Sequence, residues 1–169
     1  LRLVTIQPVE ALKDLSVKHR YVCDAEKVES YENAELFTDA YAWMNERLAE
    51  RIGAAPVGVK YPIWAWYRYD GDFAHWNDGG TFAKIVLDID PERVVLSDFD
   101  DWNCIMNGGP VVTDEDEDDV FEEENIRKTW ERVFHDDSEC VQACFWELRS
   151  EDVLSVEVFT STKYVEESE

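Results

Sequence analysis

Positive charge is what this chain has least of. Its 169 residues carry 16 Lys and Arg against 39 Asp and Glu, giving a net charge of −23 and a pI near 4.3. Nucleic-acid phosphates and anionic lipid surfaces repel such a surface, which argues against either as a direct partner. Long apolar runs are missing too. The longest uncharged apolar stretch, residues 61–67, falls far short of the ~20 residues that cross a bilayer. The opening LRLVTIQP lacks the apolar run of a signal peptide. Cysteine is sparse: Cys23, Cys104, Cys140 and Cys144 are scattered, which excludes a disulfide framework and points to a reducing, cytoplasmic setting. No G-x-S-x-G elbow, phosphate-binding loop or dinucleotide fingerprint occurs, so those local routes to hydrolysis and nucleotide binding have no motif here. No repeat or long linker divides the chain. The expectation is one domain over 1–169, with an acidic loop at about 112–120 and a frayed tail from about 163.

What is present is enough to fold. Hydrophobic residues make up 45% and aromatics 13%, with seven Trp, a composition that disordered acidic chains do not have. Alternation over residues 1–6 reads as a first strand, and Pro8 fits the first position of a helix carrying Val9, Leu12 and Leu15 to about His19. A clearer helix lies over 33–53, with Asn33 as N-cap and Gly53 as stop. Its apolar stripe is Phe37, Ala40, Tyr41, Met44, Leu48 and Ile52. YPIWAWYRYDG, residues 61–71, reads as a strand with large rings on both faces. Strands at 82–89 and 94–96 follow, then a short helix capped by Asp98 and ended by Gly108. The acids of 114–124 lead into a helix through Ile126, Trp130, Val133 and Phe134. Strands at 141–148 and 153–159 close the chain. This order predicts an α+β fold with a mixed or antiparallel sheet and about four helices.

Several clusters could carry chemistry. Asp114, Asp116 and Asp118 have the first spacings of a calcium hand, but Asp119 and Asn125 stand where its Gly and Glu belong. A solvated acidic loop fits better. Asp98 and Asp101 lie where a strand meets a helix, as ligand-facing carboxylates or, more simply, as a cap. His135, Cys140 and Cys144 lack the second ligand pair of a structural zinc site, so no metal is expected. His75 reads as a surface residue beside Trp76. Trp64, Trp66, Arg68, Tyr67 and Tyr69 either line a ligand groove or pack a strand covered on both sides, and packing is the commoner use.

The segments LVTIQ, KYPIWAWYRYDG, VVLSDFDDWNCIMNGG and QACFWEL resemble an uncharacterised family of bacterial and phage proteins, domain of unknown function 3841. The order of elements is also similar to the ADP-ribosyltransferase fold. That resemblance implies NAD as ligand, a His or Arg on the first strand, a Tyr or Ser-Thr element on a middle strand, and an activating Glu on a late strand. Carried onto this chain, it implies Arg2 and Thr5 first, Tyr67 or Tyr69 in the middle, and Glu147 late, with Gln142 or Cys144 as the other late positions. Tyr67 and Glu147 would then be catalytic, and Trp64, Trp66, Arg68, Asp98 and Asp101 would join Arg2 and Thr5 in binding. The competing expectation is a non-catalytic protein whose acid run contacts a basic protein partner.

Overall fold

In the computed structural model, the described residues are 1–71, 79–116 and 121–161. His75 and Trp76, Asp118 and Asp119, and the tail from 163 lie outside them. The chain builds β1 (Arg2–Pro8), α1 (Ala11–Lys18), β2 (Arg20–Tyr21), α2 (Ala25–Glu29), α3 (Thr38–Ile52), β3 (Ile63–Arg68) and β4 (Thr81–Asp88). It continues through β5 (Val95–Asp98), α4 (Phe99–Met106), α5 (Glu123–Thr129), β6 (Val141–Phe145), β7 (Leu148–Arg149) and β8 (Val153–Thr160). The fold is α+β, as expected. Six strands form one sheet in the order β5-β6-β3-β1-β4-β8, and every pairing in it is antiparallel. β2 and β7 form a small antiparallel ribbon.

Alternation along β3 sends its side chains to two different cores. Ile63 and Ala65 join Leu3, Ala83, Ile85, Leu87, Ala143 and Phe145 in a cluster that Leu15 of α1 and Leu148 of β7 cover. Trp64 packs instead with Trp43, Met44 and Leu48 of α3, Trp102 and Ile105 of α4, and Trp130. Its ring stacks on Trp102 at 5.1 Å, and Tyr41 meets both rings edge-on. The strand is thus covered on both sides, as its rings implied.

Local chemistry explains most boundaries and the departures from expectation. Pro8 ends β1 opposite Phe82 and does not open a helix. Its missing N–H is tolerated because β1 is paired there on the β4 side only. Asn33 adopts a positive φ of 64° and makes no side-chain cap; a 3-10 turn over Ala34–Phe37 precedes α3. Asp98 does cap α4, its Oδ1 accepting from the Asp101 N–H at 2.8 Å. Gly108, at a φ of 70°, leaves that helix through a conformation that favours glycine. The fifth helix, α2, buries no residue and so shows no apolar stripe; its signal is Asp24, which accepts from the N–H groups of Glu26 and Lys27. The late strand divides at Trp146–Glu147 into β6 and β7, and β7 turns away to pair with β2.

One buried ion pair ties the end of this late segment to the strand connection before β5. Asp152, 4% exposed, accepts from Arg93 through both carboxylate oxygens at 2.7 and 3.1 Å, and from the Arg149 N–H at 2.9 Å. Removing the carboxylate strands a partly buried guanidinium, which costs about 3 kcal/mol. Asp152→Ala is therefore expected to lower the melting temperature by roughly 6–12 °C in a calorimetric scan.

Candidate ligand cleft where the sheet divides

The six-stranded sheet is not uniformly stitched. β1 pairs with β4 along its whole length, from Arg2 opposite Asp88 to Pro8 opposite Phe82, yet it meets β3 in register at one pair, Val4 with Trp66. Past that point the two backbones part. A side chain takes over the missing ladder contact: the Thr5 hydroxyl donates to the Trp64 carbonyl at 2.7 Å and accepts from Gln7 Nε2 at 2.8 Å. Thr5 is fully buried.

The parting opens a cleft of about 230 Å³ lined by Ile6 and Gln7 of β1, Cys23, residues 62–66, and Gln142 of β6. Trp66, Gln142 and Ser97 stand opposite one another across β3, β6 and β5. The Gln142 amide oxygen and the Ser97 hydroxyl are both shielded from solvent and have no hydrogen-bond partner. Such groups are uncommon in native folds, because desolvation is not offset. Trp66 itself stacks on Tyr69 at 4.3 Å and meets Phe99 edge-on at 5.1 Å.

Beyond the Trp66 end of the cleft, charged groups gather. Asp98 is nearly buried, and Asp101 follows it in the first turn of α4. His135 Nε2 lies 2.9 Å from Asp101 Oδ2, and His135 Nδ1 lies 2.5 Å from Asp137 Oδ1. Burial alone would lower the His135 pKa, but hydrogen bonds to the two carboxylates and the charge of Asp98 raise it on balance. The Asp101 carboxyl is also raised, first by burial and then by the charges of Asp98 and Asp100, against the lowering bond from His135. Both directions hold together: an imidazolium is favoured by the acids around it, while Asp101 suffers from its acidic neighbours. Arg68 spends its guanidinium on the carbonyls of Asp136 and Ser138.

A model of the family described as domain of unknown function (DUF3841) matches residues 2–125. The chain belongs to the DUF3841 family. No curated protein and no solved structure matches it. The stretch matched to DUF3841 contains Thr5, Gln7, Trp64, Trp66, Asp98 and Asp101, whereas His135 and Gln142 lie beyond it.

The residues singled out in sequence are only partly brought together in this DUF3841 chain. Trp64 and Trp66 line the cleft, Thr5 bonds to the Trp64 carbonyl beside it, and Arg68, Asp98 and Asp101 lie beyond its Trp66 end. Arg2 does not join them; it is exposed at the other end of β1, about 13 Å along the strand from Ile6. Tyr67 shares the face of Ile63 and Ala65 and packs its ring against the core under α1, outside the cleft lining. Glu147 lies past the end of β6, ion-paired to Arg20 at 3.0 Å and Arg149 at 2.9 Å. It faces a separate hollow with Lys18, His19 and Glu151. Cys144 is fully buried and does not meet His135 or Cys140. In the described part of the acid run, Asp116 is turned inward to Thr113 and Arg132.

Sequence reasoning missed Gln7 and named Gln142 only as an alternative. It also missed a groove of about 550 Å³ beside Tyr41 and Tyr61, whose rim is closed by Glu29 bonded to Lys60 and Tyr61. The cleft has one reactive atom for a chemical probe. Burial, with Asp24 nearby, pushes the Cys23 thiol up to about 11, so at pH 8 it is a neutral thiol. Iodoacetamide is expected to label Cys23 slowly, with the rate rising about tenfold per pH unit up to about pH 11. Peptide mass mapping across pH checks this; a rate that levels off below pH 9 contradicts it.

Proposed function

We propose that this domain binds a nucleotide of the NAD type at the cleft, as an ADP-ribosyltransferase-like protein of the cytoplasm. The observation that carries the reading is the adjacency of three strands. A first strand, a middle strand and a late strand supply the ligand-facing residues in that resemblance. Here β1, β3 and β6 lie side by side, and the cleft opens between the first two. Gln7, Trp66 and Gln142 are the residues it presents. Trp66 offers an aromatic face for a nicotinamide or adenine ring. The partnerless Gln142 oxygen accepts a ligand N–H or O–H once its side chain turns toward the cleft. At about 230 Å³ the cleft is smaller than a pocket for a whole drug-sized ligand, so it takes one ring of the dinucleotide and leaves the rest at the surface.

The late-strand position that lines the cleft is an amide, while Glu147 is committed to its two arginines. An amide orients a substrate but cannot take its proton. The reading is therefore of a NAD binder with slow or no transfer. Isothermal calorimetry with NAD at millimolar concentration is expected to show saturable binding, accompanied by quenching of tryptophan fluorescence. Trp66→Ala and Gln142→Ala should each weaken it about tenfold, the loss of roughly one stacking or hydrogen-bond contact. Absence of heat, of quenching and of a thermal shift with NAD, nicotinamide and ADP-ribose overturns the reading.

A further inference from the structure

A second set of side chains, beyond the cleft lining, has the geometry of a metal centre. Asp98, Asp101 and His135 each bring one ligand atom within 4.8 Å of the others. They come from the end of β5, the first turn of α4 and the segment after the 3-10 turn that follows α5. Asp98 caps α4 with Oδ1, and Asp101 offers Oδ2. The His135 ring is held from behind, where Asp137 Oδ1 lies 2.5 Å from Nδ1. Nε2 lies 2.9 Å from Asp101 Oδ2, a contact that a bound ion would replace, with an Asp98 oxygen within 4.8 Å of the same group. A carboxylate on the far nitrogen is the usual outer support of a metal-bound histidine, fixing tautomer and ring orientation.

Arg68 is the cation near this corner, its charge acting on Asp137 behind the His135 ring. Asp100 and Asp137 add negative charge beside Asp101 and His135, and the Arg68 guanidinium bonds to main-chain carbonyls. We propose that Asp98, Asp101 and His135 bind a divalent transition-metal ion. Two carboxylates and one imidazole suit Mn²⁺ or Zn²⁺ over Mg²⁺ and Ca²⁺, which favour all-oxygen shells. Three protein ligands leave at least one position open to water or to an anionic ligand. Phe99, between the two aspartates, packs against Trp66, so ion binding reports on a tryptophan of the cleft. The site stands apart from the nucleotide reading, because the ion is titrated with no nucleotide present.

The test uses the full chain stripped with a chelator, then titrated with Mn²⁺ or Zn²⁺ by calorimetry and, for Mn²⁺, by electron paramagnetic resonance. Millimolar Ca²⁺ in the buffer occupies the exposed carboxylates of the acid run. The expected result is one saturable site per chain. It disappears in His135→Asn and in Asp101→Asn, and it weakens by roughly 10- to 100-fold in Asp137→Asn, which touches only the outer support. Glu123→Gln, in the acid run, leaves it unchanged. Circular dichroism of each variant confirms that the fold persists. No saturable binding in the wild type overturns the proposal, and so does wild-type binding by folded His135→Asn and Asp101→Asn.

Discussion

The hydroxyl of Thr5 holds the two halves of the sheet together where their backbones separate. Beyond Val4 and Trp66, β1 and β3 share no further register pair, and the Trp64 carbonyl takes its donor from that side chain. The arrangement satisfies a buried acceptor while leaving space between the strands, which a continuous ladder would close. The cleft and the exposure of Gln7 to it go with this substitution of a side chain for a backbone contact. The half-sheets differ accordingly. β5, β6 and β3 are sandwiched between two hydrophobic clusters, whereas Leu154, Val156 and Val158 of edge strand β8 stay exposed.

The aromatic residues serve this division. Trp64 faces the helices and is clamped by Trp102 and Tyr41, which fixes β3 from one side. Trp66, two residues on, lies past that clamp and contacts Tyr69 and Phe99 instead. One strand thus carries a packing tryptophan and a cleft tryptophan in succession. Charge is divided in a similar way. Asp152 and Asp116 stabilise the fold through arginine pairs, and Asp98 caps a helix. The corner around Asp101 and His135 is where acids outnumber their partners.

Much of the fold was legible in the sequence because the signals were local. Alternation located the strands, and Asp98 and Gly108 bounded α4 as their chemistry requires. What alternation could not reveal was where pairing stops. The parting of β1 from β3 depends on contacts between residues 59 positions apart, and nothing near Thr5 announces it. For the same reason Glu147 looked like a late-strand carboxylate until the strand was seen to end at Phe145. Tyr67 keeps the alternation of β3 and packs on the face of Ile63 and Ala65, outside the cleft lining. The spacing of His135, Cys140 and Cys144 argues against a metal site among them, and no local signal marks the carboxylate that His135 does meet, Asp101, 34 residues away.

The central claim is that the gap between β1 and β3 is a ligand site and not a packing defect. Nuclear magnetic resonance on the isotope-labelled chain tests it most directly, by following the indole N–H signals of the tryptophans and the side-chain amides of the glutamines as NAD is added. The account predicts that Trp66, Gln7 and Gln142 shift together and saturate at one affinity, while Trp43 and Trp130 stay in place. Saturating shifts confined to other residues, or none at all, would contradict it.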